Sequence, residues 1–298
     1  MFQRTNKLLI DLPEPDYGDK KAALVVQELL GGKFGELSTL NNYLFQSFNF
    51  RERKKLKPYY DLVSSITAEE LGHVELVSHT INLLFKDVSD VPFDVNDTAL
   101  RGAVAFPHPK HFIHSANTSL PIDATGNSWT GDNVFSSGNL VLDLLHNFFL
   151  EIGARTHKMR VYEMTDHPTA REMIGYLLVR GGTHVVAYQK AIESLTGVSL
   201  GKLLPIPDVS NKKFDTAKKF EDQGLGNVLY NWNDVGDYLG IETIFTGTHP
   251  ETNASLIVKK GTPIGGKMPD LDSLPEFFAP GLDRDDYTRV AKHLMNKL

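Results

Sequence analysis

Two pairs of ionisable side chains interrupt apolar helical runs at matched steps, and that matching restricts the fold more than any other feature of the chain. Glu36 precedes Glu70 by 34 residues, and Glu151 precedes His184 by 33. An isolated charge is expensive to bury, so each of these carboxylates must be exposed, paired or bound to a metal. A step of this length spans one helix, a turn and part of a facing helix. The two pairs therefore describe two helical hairpins, each presenting its inward groups at nearly the same level. Joined by a long crossover, such hairpins bring four helices around one centre. His73 adds to the set, because it stands three residues after Glu70 and so on the same helical face. One helix can then offer a carboxylate and an imidazole to one metal ion.

The apolar spacing predicts where those helices lie. From about Asp19 to Phe48, Ala23, Val26, Leu29, Leu30, Leu37, Leu40 and Leu44 recur at three- and four-residue steps. Gly31, Gly32 and Gly35 interrupt this run, each costing a helix up to about 1 kcal/mol relative to alanine, which predicts close backbone approach or a local distortion. Tyr43 lies two turns beyond Glu36 on the same face, where its hydroxyl can reach a metal-bound carboxylate. A second helix is expected from near Pro58 to about Phe85, carrying Glu70 and His73. Glu69 and Glu75 project roughly 100° and 140° away from Glu70 and are assigned to solvent or to an outer shell, and His79 is off the ligand face. The third helix follows Ser136-Ser137-Gly138, with a serine as the expected N-cap, and runs to about Met164 with Lys158 two turns beyond Glu151 on the same side. Asp166 and Pro168 predict the start of the fourth, which ends near Thr196 before Gly197.

The remaining stretches are less regular. Residues 86–135 read as the crossover. His108, His111 and His114 occur there at three-residue steps, but no acidic partner lies among them and Pro107 and Pro109 interrupt the helix that would align them, so no metal site is expected. Beyond about Lys202 the chain is rich in proline, with Ser255-Leu-Ile-Val-Lys its best candidate strand. Its aromatic residues, among them Phe220, Tyr230, Trp232, Tyr238, Phe245 and Phe277, predict an ordered, mostly extended segment. The expected division is a four-helix bundle domain over residues 1–200 and a covering segment over 201–298.

Composition narrows the chemistry. The net charge is −6 over 298 residues, and the only basic run is RERKKLK at Arg51 to Lys57, so a nucleic-acid partner is not expected. There is no apolar run of about 18 residues and no apolar leader, which predicts a soluble cytoplasmic protein without a membrane partner. Cysteine is absent, so any metal must be held by His, Asp and Glu. The candidate set is Glu36, Glu70, His73, Glu151 and His184. Two divalent ions carry four positive charges against three from the carboxylates, so a bridging water or hydroxide would help balance the site. Glu70, the central carboxylate, is placed to bridge both ions, with His73 on one and His184 on the other. Oxygen-rich ligation suits manganese, but ligand type alone does not separate it from iron.

Five long segments, GGKFGELSTLNNYLFQSFNF, EELGHVELV, SGNLVLDLLHNFFLE, VYEMTDHP and MIGYLLVRGGTHVVAY, closely resemble the manganese catalase family, in particular its thermophile type, and the likeness covers almost the whole chain. The resemblance implies a ferritin-like all-α bundle holding two manganese ions on Glu36, Glu70, His73, Glu151 and His184. It also implies Tyr43 in the outer shell, Lys158 near the metals, hydrogen peroxide as substrate, and a homohexamer with tails wrapped across subunits. Some members carry a glutamate where this chain has Gly181 and an arginine where it has Leu150. The family's calcium site keeps Asp61 here, but its companion position four residues later is Ser65, which leaves that site incomplete. Two other readings stay open at this point: a di-iron ferritin-like oxidase or iron store, and a coat or assembly protein with little activity.

Overall fold

The computed structural model describes residues 5–86, 110–115, 117–203, 209–233, 236–271 and 284–297. Asp19 opens helix α1 (Lys20–Gly31) by accepting the backbone N–H groups of Lys21 and Ala22. The chain then turns through Gly32 to Gly35 and restarts as α2 (Glu36–Phe48), so the segment expected as one interrupted helix is two. The crossover supplies the reason. A Cβ at Gly31 would stand 2.2 Å from the carbonyl oxygen of Ile122, and Gln27 Nε2 donates to the carbonyls of Leu120 at 2.5 Å and Ile122 at 2.7 Å. The break places Glu36 at the first residue of a new helix.

Helix α3 (Lys57–Leu84) starts with Pro58 in its first turn, and the crossover contributes the short helix α4 (Lys110–Ser115). Helix α5 (Leu140–Glu163) is capped by Asn139, whose side chain accepts from Val141 and Leu142. The expected serine cap is therefore corrected: the Ser137 hydroxyl and amide both donate to Asp143 instead. Helix α6 (Pro168–Thr196) has no side-chain cap on its first N–H groups. Asp166, expected there, pairs with Arg171 at 2.6 Å. The far end matches expectation, with Gly197 in the left-handed region at φ +72°.

Helices α1 and α2, α3, α6 and α5 close a ring of packed neighbours. Two apolar clusters fill it. One contains Leu30, Leu76, Val161 and Val179, and the other Tyr43, Ile66, Leu150 and Val185. In each of the four chain segments the polar site residues fall between a residue of the first cluster and a residue of the second. Glu36 lies between Leu30 and Tyr43, Glu70 and His73 between Ile66 and Leu76, Glu151 and Lys158 between Leu150 and Val161, and His184 between Val179 and Val185. The sequence pattern thus builds one polar layer between two dry ones.

Residues beyond the bundle close over it. After α7 (Leu200–Leu203) comes α8 (Asp215–Asp222), then β2 (Val228–Asn231) pairs in parallel with β3 (Ile257–Lys260), Val228 opposite Ile257 and Asn231 opposite Lys260. The expected strand is present but begins two residues later than Ser255. Near the amino terminus β1 (Lys7–Leu8) pairs antiparallel with β4 (Gly266–Lys267), and α9 (Arg284–Met295) is the last described element. The segment is more helical than "mostly extended" anticipated. Phe214, Ala217 and Phe220 join the first cluster, and Leu229, Ile241, Phe245 and Leu256 join the second. His108, Pro107, Pro109 and Phe277 lie outside the described residues. His111 is buried with Nδ1 at 2.8 Å from the Thr118 carbonyl, and His114 is exposed. No helix among the described residues is long and apolar enough to cross a membrane.

Candidate metal centre

Two Glu–Glu–His triads occupy the polar layer, each able to converge on one ion: Glu36, Glu70 and His73, and Glu70, Glu151 and His184. Every one of these side chains is buried. The helix period explains two of the five residues, because α3 alone presents Glu70 and His73 one turn apart. The other candidate groups come from α2, α5 and α6. Glu70 Oε2 lies 3.2 Å from His73 Nδ1, while its Oε1 lies 2.8 Å from His184 Nδ1. Glu36 Oε2 is 3.6 Å from His73 Nδ1, and Glu151 Oε1 is 3.3 Å from His184 Nδ1. The two imidazoles stack at 5.6 Å between ring centroids.

Neighbouring side chains hold the carboxylates. Tyr43 donates its hydroxyl to Glu151 Oε1 at 2.8 Å, and Thr39 donates to Glu70 Oε2 at 2.7 Å. Lys158, itself buried, places Nζ 2.8 Å from Glu36 Oε1. Arg155 goes elsewhere. Its guanidinium donates to the Leu178 carbonyl, to Asn211 Oδ1 at 2.9 Å and to the Val209 carbonyl at 3.1 Å. Gly181 faces both groups, since a Cβ there would stand 3.2 Å from Arg155 Cγ and 3.7 Å from Glu151 Oε2. Leu150 is part of the second apolar cluster. At the position of the incomplete calcium site, Lys57 Nζ engages both oxygens of Asp61 at 2.7 and 2.9 Å. Ser65 donates to the Tyr230 carbonyl and accepts from Trp232 N–H.

A second carboxylate on α3, left by its sequence angle to solvent or an outer shell, takes the outer-shell place. Glu69 is fully buried, not solvated, and Arg180 from α6 donates to it from Nε at 2.5 Å and Nη2 at 3.1 Å. The signal was its spacing to His73, four residues on, whereas the angle measured from Glu70 points it away. Arg180 had a signal too, as a guanidinium inside the apolar run Leu177 to Val186.

Charge explains the electrostatics. Burial opposes ionisation of Glu70, but His73 and His184 hold it well below the usual carboxylate range. Burial likewise opposes the imidazolium forms, yet the surrounding glutamates push both histidines well above their ordinary value. Burial and the Glu151 charge push the Tyr43 phenol well up, so it stays a donor. The carboxylates thus set an excess of negative charge around the two imidazoles, which a divalent cation would offset on binding there. Both ring nitrogens of His73 and of His184 are buried without a well-formed hydrogen bond within the chain. Orphaned imidazole nitrogens beside hard carboxylate oxygens fit a metal pair.

A four-helix bundle with two such triads sharing a carboxylate is a ferritin-like metal-binding protein. The chain belongs to the manganese-containing catalase family, whose description matches residues 1–298. It is 32% identical over 282 residues to a manganese catalase of Bacillus subtilis (strain 168), covering 93% of this chain and 97% of that one. A manganese catalase of Lactiplantibacillus plantarum is 34% identical over 236 residues, 78% of this chain and 83% of its own. Among solved structures, the manganese catalase KatB from Anabaena shares the fold at a TM-score of 0.57 and 22% identity, covering 78% of this chain and 92% of that one.

Proposed function

We propose that this chain disproportionates hydrogen peroxide, 2 H2O2 to 2 H2O and O2, at two manganese ions held by Glu36, Glu70, His73, Glu151 and His184. The observation that carries the reading is the division of Glu70, with one oxygen toward each imidazole Nδ1, at 3.2 and 2.8 Å. When bound, a manganese pair supplies a two-electron couple, so that one peroxide gives up two electrons and two protons and leaves as dioxygen while another takes them up and leaves as two waters. Placement and charge fall to the chain's own residues. Lys158, with Nζ 2.8 Å from Glu36 Oε1, holds that carboxylate in place and brings a positive charge to the pocket where peroxide loses a proton. Tyr43 and Thr39 donate to Glu151 and Glu70 and fix their rotamers. The apolar layers on either side keep bulk water from the polar one, which strengthens each of these contacts.

Metal uptake tests the ligand set. Metal-free protein titrated with Mn(II) is expected to take up about two ions per chain. His73→Ala and His184→Ala should each retain about one, because each histidine belongs to one triad only. Full retention of two ions by both variants, measured by elemental analysis after gel filtration, contradicts the assignment.

We infer that the enzyme is cytoplasmic and that the assembly is a homohexamer, with a bundle domain over residues 1–200 and a covering segment over 201–298. Exposed apolar residues on two packed helices support association: Phe45 and Phe48 on α2, Leu142 and Phe149 on α5. A chain ended before Ser210 loses Phe214, Phe220, Leu229 and Phe245 from the two clusters, a loss on the order of 10 kcal/mol from a per-residue cost of about 2–5 kcal/mol for a large buried apolar side chain. Its expected behaviour is a smaller oligomer and a lower melting temperature. A truncated chain that sediments and melts like the full-length protein rejects this.

A further inference from the structure

Glu69 has no task in the manganese reading, yet it is buried among Arg180, Trp232 and both imidazoles. It faces the rear edges of both imidazoles. Its Oε1 lies 3.7 Å from His73 Nε2 and its Oε2 3.4 Å from His184 Nε2, while Nδ1 of each ring faces the triads. Arg180 grips it with a two-pronged contact through Nε and Nη2. The remaining nitrogen of that guanidinium, Nη1, donates at 2.7 Å to the carbonyls of Leu225 and Val228, both in the C-terminal segment. From the same segment Trp232 Nε1 donates to Glu69 Oε2 at 3.3 Å.

We propose that Glu69 is a positioning residue that fixes the tautomer and orientation of His73 and His184 together, and that residues 225–232 of the C-terminal segment are its anchor. A neutral imidazole carries hydrogen on one nitrogen and a lone pair on the other, and the group opposite decides which. A carboxylate only accepts, so an Nε2 that faces Glu69 carries the hydrogen. Both Nδ1 lone pairs are then directed into the triads. Each ring uses a different oxygen of one carboxylate, so Glu69 cannot rotate to suit one ring without releasing the other. The Arg180 fork matches the planar carboxylate and restrains that rotation. Since the fork is itself seated on two carbonyls beyond residue 224, the C-terminal segment completes the back of the metal centre as well as covering the bundle. The inference rests on the reading of His73 and His184 as manganese ligands.

The experiment uses full-length protein loaded with Mn(II), in the wild type, Glu69→Gln and Trp232→Phe. Three properties are measured: the rate of manganese release to EDTA, the electron paramagnetic resonance spectrum of the bound Mn(II), and the melting temperature of the metal-free protein. The glutamine side chain would turn its amide NH2 toward one ring and present a donor where an acceptor is needed. Glu69→Gln is therefore expected to release manganese about 10- to 100-fold faster, with an altered spectrum, the scale seen for partners of metal-bound histidines. Trp232→Phe keeps the aromatic packing and deletes one N–H. It should release manganese a few-fold faster while the metal-free melting temperature stays that of the wild type. Should Glu69→Gln fail to fold, Trp232→Phe decides alone, and a wild-type release rate and spectrum in it overturn the proposal. A lowered melting temperature with release and spectrum unchanged in both variants also overturns it, since that pattern marks a purely structural ion pair. If His73→Ala and His184→Ala lose no manganese, the ligand reading itself falls, and this inference with it.

Discussion

Glu70→Gln is expected to lose half or more of its manganese and nearly all of its peroxide turnover. The side chain keeps its shape, but one amide nitrogen replaces an oxygen, so one of the two triads loses a donor atom and the pair loses the negative charge it shares. Thr39 donates to Glu70 Oε2 at 2.7 Å, and His184 Nδ1 lies 2.8 Å from Oε1. Either orientation of the amide therefore sets an NH2 group against a donor or a metal position. Two-electron chemistry needs both ions, so turnover should fall by about 100-fold or more, on the order of 2.7 kcal/mol of barrier. Elemental analysis and oxygen evolution on the same preparation check both parts. Near-normal turnover with two manganese per chain would exclude a bridging role for Glu70.

Lys158→Met is expected to separate metal binding from turnover. The ammonium contacts Glu36 Oε1 at 2.8 Å, yet it is not itself a member of either triad. Manganese content should stay at about two per chain. Turnover should fall about ten-fold or more, as expected for losing one preorganised charge contributing upwards of about 1.4 kcal/mol. Burial works against the ammonium, but Glu36, Glu151 and Glu70 outweigh it and raise its pKa above the ordinary 10.5. A raised pKa keeps the group charged below that value and releases the proton only as the pH climbs past it. The ratio of wild-type to variant rates should therefore be flat from about pH 6 to about pH 9. A ratio of one throughout, with metal retained, would show that Lys158 has no part in the chemistry.

The site was legible where a charge broke an apolar period. Glu36 and Glu151 stand out because each interrupts an otherwise apolar helical face, and their distances from Glu70 and His184 bring four helices to one level before any contact is known. Lys158 was legible for the same reason, two turns from Glu151. Other parts depend on contacts between residues far apart in the chain. Glu69 resembles any solvated glutamate beside a motif until Arg180, 111 residues later, is known to face it. The parallel pairing of β2 with β3 is also non-local, and the aromatic residues of that region show burial without showing register. The break between α1 and α2 was signalled by three glycines. Its cause, the crossover carbonyl of Ile122 above Gly31, lies some ninety residues away along the chain. Caps were the least certain local feature: Ser137 and Asp166 carry suitable oxygens, but Asp143 and Arg171 engage them first.

The most direct measurement is the dioxygen yield per peroxide consumed, taken together with the metal content of protein purified without chelators. The expected result is one dioxygen released for every two peroxides, with about two manganese ions per chain and little iron. Consumption of dioxygen by protein that carries iron would contradict it and favour an oxidase. Failure to release dioxygen from manganese-loaded protein would contradict peroxide disproportionation outright.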